Sequence, residues 1–284
     1  MSLSAQMTPV AVRIAEQYDD GEDARHYLLE PLEAGTLVAP SPGQFFMLSV
    51  PGHGEAPFTY VNGLDHSGRI ALLARKVGSL TTALFALKEG AVLGVRGPYG
   101  RGWPIEELGS GRVLIVAGGC GLAPLCSAAL VLASRPAGKA ALIYGSRTEV
   151  SQVLSAERTA MTGKLASFQT FDHPSRSGHL QGTPVIALPA AVTALGKIDA
   201  ALICGPEPMM RGTAEALHAR GLSHERIFVS LERRMHCAVG LCGHCYVAST
   251  YACKQGPTYR YDELLALQRK SPPRLASVTE IHHC

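Results

Sequence analysis

Four cysteines fall in one short stretch near the C-terminus, M-H-C-A-V-G-L-C-G-H-C-Y-V-A-S-T-Y-A-C, which places Cys237, Cys242, Cys245 and Cys253 in the spacing C-x4-C-x2-C-x7-C. A segment whose thiolates share an inorganic centre has to wrap that centre. The x4 and x2 steps match the start of the plant-type 2Fe-2S arrangement, in which a loop wraps one side of the cluster and a later cysteine closes the other. Gly240 and Gly243 stand where the wrap needs them. Lacking a Cβ, they permit positive φ and let backbone N–H groups approach sulfur. Spacing alone also admits zinc, because Cys242-x2-Cys245 is half of a common four-cysteine zinc site, although such sites usually offer two such knuckles. His236 and His244 are read as exposed or outer groups, since four cysteines already satisfy two irons.

The 284 residues have room for two or three domains, and 46% hydrophobic against 17% charged residues marks a globular chain. A formal net charge of +3 is small, and no basic run with interleaved aromatics is present, so nucleic acid is not implied. Residues 1–13 lack the pattern of a secretory signal, which predicts a cytoplasmic protein and argues against disulfides. The uncharged stretch 113–133 is long enough to span a bilayer, yet Gly118, Gly119, Gly121 and Pro124 interrupt it. It reads instead as a buried strand followed by a helix, so no membrane span is expected.

The fold class predicted is β + α/β. Strands at 10–16, 26–32, 44–50, 59–64, 69–77 and 92–96, separated by Gly, Pro and Asp turns, predict an antiparallel β-barrel over residues 1–103. The pattern then changes. Strands at 113–117, 140–144, 166–171, 200–204 and 227–231 alternate with helices at 122–134, 149–161 and 209–220, which predicts a doubly wound parallel-sheet domain over 104–230. Residues 231–284 form a small C-terminal segment carrying the four cysteines and a short helix at 261–270.

Two loops of the second domain are candidate ligand sites. Gly118, Gly119 and Gly121 lie between a buried strand and a helix, where a pyrophosphate approaches backbone N–H groups and the positive end of the helix dipole. The same glycines also serve a strand and helix that merely pack closely. Cys204, Gly205 and Pro206 end a later strand at the carboxyl edge of the sheet, where ligands of such folds bind. In the barrel, Pro57-Phe58-Thr59-Tyr60, Arg75 and the turn Gly78-Ser79-Leu80-Thr81 supply an aromatic face, a cation and hydroxyls. Cys120 and Cys126 are read as small packing residues, and the terminal His282-His283-Cys284 as a weak metal candidate.

Taken together, P-G-Q-F, G-E-A-P-F-T-Y, A-G-G-C-G-L-A-P-L, Y-G-S-R, C-G-P-E-P-M and the cysteine tail resemble the ferredoxin-NADP reductase superfamily along almost the whole chain. The tail S-L-E-R-R-M-H-C-A-V-G-L-C-G-H-C with A-C-K-Q-G-P-T-Y-R-Y-D-E-L is similar to the gamma, or diaphorase, subunit of soluble sulfhydrogenase-type nickel-iron hydrogenases. Electron-transfer subunits of dihydroorotate dehydrogenase and an anaerobic sulfite reductase subunit share this layout. The resemblance implies three cofactors, FAD, NAD(P)H and a 2Fe-2S cluster, and an NAD(P)H-dependent oxidoreductase that exchanges electrons with iron-sulfur partner subunits. It implies that Pro57, Phe58, Thr59 and Tyr60 border the flavin and that Gly78, Ser79 and Thr81 meet its pyrophosphate. It places Gly118, Gly119 and Gly121 on the nicotinamide dinucleotide, with Cys204, Gly205 and Pro206 beside its ring. Arg147 would meet the adenosine ribose or a 2′-phosphate, and with Arg176 it tilts the expectation toward NADPH. The usual Arg-x-Tyr-Ser flavin motif is absent here, which leaves Arg75 as the candidate phosphate ligand. Ala238 and His236 stand where relatives often carry Gly and Lys. A flavin between a two-electron hydride donor and a one-electron cluster has a direct chemical logic. The rival of another class is a zinc-bound interaction protein on a retained nucleotide fold.

Overall fold

The computed structural model describes residues 3–135 and 139–270, so the terminal His282-His283-Cys284 lies outside the described residues. A short helix α1 (Leu3–Met7) precedes β1 (Val10–Asp19), β2 (Ala24–Pro31), β3 (Phe45–Val50), β4 (Gly54–Thr59) and β5 (Ile70–Arg75). Helix α2 (Ser79–Ala86) then leads to β6 (Val92–Tyr99). The six strands form one antiparallel sheet in the order β4-β3-β6-β1-β2-β5. Its two ends are drawn together where the Val61 N–H, just beyond β4, donates to the Ala71 carbonyl of β5 at 3.0 Å. Alternating residues such as Val12, Ile14, Tyr27, Leu29, Leu48 and Leu72 fill the interior.

Two features of this domain differ from the sequence expectation. The fourth strand covers Gly54–Thr59 rather than 59–64, because the tight turn after Val50 pairs Phe46 with Phe58 and Phe45 with Thr59. Pro57 is tolerated there because β4 is an edge strand, where a missing N–H breaks no ladder on the open side. The segment expected to be only a turn at Gly78-Ser79-Leu80-Thr81 opens α2. Eight residues make too short a helix to persist alone, and burial of Leu80 and Leu84, one turn apart, holds it.

The second sheet is built from β7 (Val113–Gly118), β8 (Ala140–Ser146), β9 (Ala166–Phe171), β10 (Leu180–Gln181), β11 (Ala200–Cys204) and β12 (Ile227–Ser230). Helices α3 (Leu122–Ala133), α4 (Ser155–Met161), α5 (Leu188–Leu195) and α6 (Glu207–His218) connect them. Strand order is β10-β9-β8-β7-β11-β12, all parallel, so the chain reverses its direction of winding between β7 and β11. The apolar stretch expected as strand then helix is β7 plus α3, and among the described residues no helix is long and apolar enough to cross a membrane. Helix α5 has no counterpart in the expectation. Its one proline, Pro189, sits in the first turn, where no N–H is required.

Beyond β12 the chain makes a hairpin, β13 (Tyr246–Val247) and β14 (Thr250–Tyr251), then β15 (Thr258–Arg260) and α7 (Tyr261–Lys270). Strand β15 pairs antiparallel with β12 and extends the nucleotide sheet. The cysteine segment is therefore tied into that sheet's core, where Cys237, Cys245 and Cys253 share a cluster with Val229, Met235 and Tyr259.

Candidate electron-transfer site

The cysteine segment is shaped by its own backbone. Cys237 Sγ accepts three N–H groups, from Val239 at 3.4 Å, Leu241 at 3.3 Å and Cys242 at 3.4 Å. Positive φ at Ala238 (62°), Gly240 (81°) and Gly243 (76°) turns the chain around that sulfur. Such a ring of amides suits a thiolate, because each N–H offsets negative charge on sulfur. The x7 step has an equally local cause. Two residues of β13, a two-residue turn with Ala248 at φ 53° and two residues of β14 return the chain, and the Ala252 N–H donates to the Cys245 carbonyl at 2.9 Å. Cys253 thus comes back beside Cys245.

Cys237, Cys245 and Cys253 are buried, whereas Cys242 is exposed. Burial and the neighbouring Cys245 thiol push the Cys253 thiol up to about 12. Burial also raises Cys242, but backbone N–H groups of His244 and Cys237 outweigh it and hold that thiol below its ordinary value. Among the described residues no three His, Cys, Asp or Glu side chains converge on a point that would hold a single metal ion. The amides turned onto Cys237 Sγ offset the negative charge that a cluster-bound thiolate carries, and in that respect the loop fits an iron-sulfur centre. His236 and His244 are exposed, stacked edge to face at 4.2 Å between ring centroids.

At the winding reversal of the second sheet, the two predicted loops meet. A Cβ on Gly121 would lie 2.5 Å from the Cys204 carbonyl oxygen, and one on Gly118 would lie 2.8 Å from Met209 Sδ. Gly205, at φ 151°, stands 3.0 Å from the backbone of Gly118 by the same measure. These glycines let two loops pack backbone to backbone. Gly119 is different, since at φ 55° a Cβ there would meet nothing within 4 Å. It opens onto the carboxyl edge of the sheet, beside half-buried Gly205 and exposed Pro206, the place where a dinucleotide lies in folds of this kind. The Cys204 thiol is buried, donates toward the Ser230 carbonyl at 3.7 Å, and is pushed well above its ordinary value by burial. Arg147 is exposed just beyond β8, and Arg176 is exposed beyond β9.

On the barrel, Pro57, Phe58 and Thr59 are half-buried along β4. Tyr60 is placed apart from them: only 3% exposed, it packs its ring 4.6 Å from that of Phe46 in the barrel interior. The Thr81 hydroxyl accepts the N–H groups of Val77 and Gly78, both at 3.0 Å, and donates to the Gly78 carbonyl. Thr81 therefore shapes the loop, leaving the amides of the first turn of α2, Ser79 among them, without intrahelical acceptors. Arg75 ends β5 with its Nε buried and without a hydrogen-bond partner. A half-buried arginine with a free Nε, a few residues before a helix N-terminus, fits a pyrophosphate.

The two large domains are fastened at a seam that no local motif announces. Both oxygens of buried Asp20, from the β1–β2 turn, cap α4 through the amides of Leu154 (2.8 Å) and Ser155 (3.1 Å). His26 of β2 meets Glu157 of α4 at 3.2 Å with both side chains less than a tenth exposed. Trp103 donates its indole N–H to the Pro124 carbonyl at 2.6 Å. Arg96, which belongs to no expected motif, reaches from β6 to the cysteine segment, and its only sequence sign is its place directly before Gly97-Pro98-Tyr99-Gly100.

An antiparallel domain with a phosphate-type turn, a doubly wound sheet with an open crevice and an amide-lined cysteine wrap define an FAD- and NAD-binding electron-transfer protein with an iron-sulfur domain. The comparisons agree module by module. Residues 12–103 match the oxidoreductase FAD-binding domain, 115–215 the oxidoreductase NAD-binding domain, and 232–265 the iron-sulfur cluster binding domain of dihydroorotate dehydrogenase B. The chain belongs to the ferredoxin-NADP reductase superfamily, among those members that carry an iron-sulfur domain behind the nucleotide domain. It is 36% identical over 242 residues to sulfhydrogenase 1 subunit gamma of Pyrococcus furiosus, covering 79% of this chain and 80% of that one. It is 31% identical over 261 residues to the probable electron transfer subunit of dihydroorotate dehydrogenase B (NAD(+)) of Thermococcus kodakarensis, covering 90% of this chain and 98% of that one. Among solved structures, an NADH-dependent reduced ferredoxin-NADP oxidoreductase superposes with a TM-score of 0.74 at 26% identity, over 90% of this chain and 91% of that one. The match at 232–265 supports iron-sulfur and leaves the zinc alternative without support.

Proposed function

We propose that the chain passes electrons between NAD(P)H and a one-electron protein partner by way of FAD and a 2Fe-2S cluster held by Cys237, Cys242, Cys245 and Cys253. The flavin supplies the conversion between a hydride and single electrons. The chain's own residues do the placing. Gly119, Gly205 and Pro206, with the Cys204 backbone behind them, form the crevice for the nicotinamide, and Arg147 is the cation offered to the far end of the dinucleotide. Phe58 and Thr59 flank the flavin ring, while Gly78, Ser79 and Arg75 hold its pyrophosphate and Thr81 keeps their loop in shape. The observation that carries this reading is the exposure of Cys242 on a segment whose other three cysteines are buried, which leaves one edge of the centre open to another protein.

The partner we infer is an iron-sulfur subunit of a cytosolic nickel-iron hydrogenase, supported by the likeness to two sulfhydrogenase gamma subunits at 36% and 34% identity. A nickel-iron centre needs cysteine pairs of its own, so the terminal reaction belongs to another chain. Affinity purification of this chain from its own cells tests the assignment. Co-purifying hydrogenase subunits with hydrogen-dependent reduction of NAD(P) support it. Co-purification of a dihydroorotate-oxidising or sulfite-reducing subunit replaces it with that alternative. Iron and labile sulfide in the purified chain, with flavin bleaching by NADH or NADPH, test the cofactor chain itself.

A further inference from the structure

Arg96 lies in β6 of the barrel, directly before Gly97, whose backbone packs against Phe46 and Tyr60. Its side chain is 2% exposed, yet it is fully engaged. Nε and Nη2 form a fork on the Glu55 carboxylate at 3.0 and 2.6 Å. Nη1 donates to the Tyr99 hydroxyl at 3.2 Å and to the Cys237 carbonyl at 2.7 Å, and Nη2 donates to the His236 carbonyl at 2.9 Å. All five N–H groups of the guanidinium are thereby used. Two of them hold the backbone of the first cluster ligand and the residue before it.

The consequence follows from peptide geometry. With the carbonyls of His236 and Cys237 turned outward onto Arg96, the chain reverses at Ala238, whose φ of 62° is unusual for a residue with a Cβ. The next amides, of Val239, Leu241 and Cys242, then point inward to Cys237 Sγ. A lysine could satisfy neither the fork nor both carbonyls at once. Hydrogen bonds to the sulfurs, net charge and solvent exposure set the potential of such a centre. The Arg96 fork in turn holds the Glu55 carboxyl below its ordinary range. The positive charge beside the cluster is thus partly neutralised by a carboxylate 27% exposed to solvent.

We propose that Arg96 is a positioning residue by which the flavin barrel sets the potential of the cluster: it fixes the His236 and Cys237 carbonyls, so aiming three amides at Cys237 Sγ, and Glu55 trims its charge. The proposal rests on the iron-sulfur reading. It is tested on the full-length chain by redox titration, following the cluster by electron paramagnetic resonance and the flavin by its absorbance, with iron and labile sulfide counted in each sample. Arg96→Met should shift the electron distribution between flavin and cluster at least tenfold away from the cluster, a fall of about 59 mV for a one-electron couple, with the flavin potential unmoved. Glu55→Gln keeps both carbonyl contacts and removes the neutralising charge, so the cluster potential should rise. It decides the matter alone if Arg96→Met fails to fold. A cluster potential unchanged from wild type in Glu55→Gln, or a flavin potential that moves as far as that of the cluster in Arg96→Met, overturns the proposal. Wild-type protein without iron and labile sulfide overturns the cluster reading instead, and this inference with it.

Discussion

Single residues in this protein divide between those that hold loops together and those left for ligands, and glycines show the division most sharply. Gly121 is fixed by the approach of the Cys204 carbonyl, whereas Gly119 faces open space in a left-handed conformation. Gly121→Ala should therefore destabilise the fold by about 1–3 kcal/mol through overpacking, seen as a lower melting temperature. Gly119→Ala should cost about 1–2 kcal/mol for its φ and in addition raise the KM for NAD(P)H. Equal effects of the two on melting, with no change of KM for Gly119→Ala, would place the nucleotide elsewhere. Arg147 makes a separate prediction, because an exposed arginine contributes little to stability. Arg147→Ala should raise the KM for NADPH by about tenfold, the worth of one charge-assisted contact, and leave that for NADH within about twofold. An equal rise for both nucleotides would remove Arg147 from the 2′-phosphate.

Elements of this fold are bounded by partners far away in sequence. Helix α4 begins at Ser155 rather than at the expected 149, because Leu154 is left-handed (φ 58°) and Asp20, from the other domain, caps the first amides. Asp20→Ala should cost about 1–2 kcal/mol, the upper range for a lost N-cap, and urea titration should show it; a stability within error of wild type would mean that water replaces the cap. The same point explains what the sequence made legible. The two sheet grammars, the cysteine wrap and the loops at the winding reversal were readable because periodicity, spacing and glycine position are local properties. Strand β4 was displaced because its pairing with β3 is decided by the turn between them, not by its own alternation. Helices α2 and α5, strand β15, and the links made by Asp20, His26, Trp103 and Arg96 were not legible, since each depends on a tertiary partner.

At the scale of the whole molecule, three modules must keep fixed separations if electrons are to pass, and the seam between the barrel and the nucleotide domain buries the His26–Glu157 pair beside apolar contacts. Burial pushes the Glu157 carboxyl up, but the hydrogen bond and charge of His26 outweigh it and hold the group below its ordinary value. A depressed folded value means that this contribution is present above the unfolded carboxylate value of about 4.3 and is lost as pH falls through the folded one. Melting temperatures of wild type and Glu157→Gln measured between about pH 6 and about pH 3 should therefore converge toward the acid end. Parallel curves would mean that the pair contributes nothing that depends on protonation. The exit side gives the complementary prediction. Cys245 is buried in the cysteine segment between β12 and β15, whereas the nicotinamide crevice is built from the loops that follow β7 and β11. Cys245→Ser removes one thiolate of the wrap without touching Gly119, Gly205 or the barrel. Flavin bleaching by NAD(P)H should persist at a rate within about threefold of wild type, because hydride transfer needs only positioning in the crevice. Iron content should collapse, and reduction of a one-electron iron-sulfur acceptor should fall by at least about a hundredfold, the upper range seen when the surroundings of a metal centre are damaged. Small dyes that reach the flavin directly should still be reduced. A variant that loses its iron yet reduces the protein acceptor at the wild-type rate would show that electrons leave from the flavin and that the exposed edge at Cys242 is not their exit.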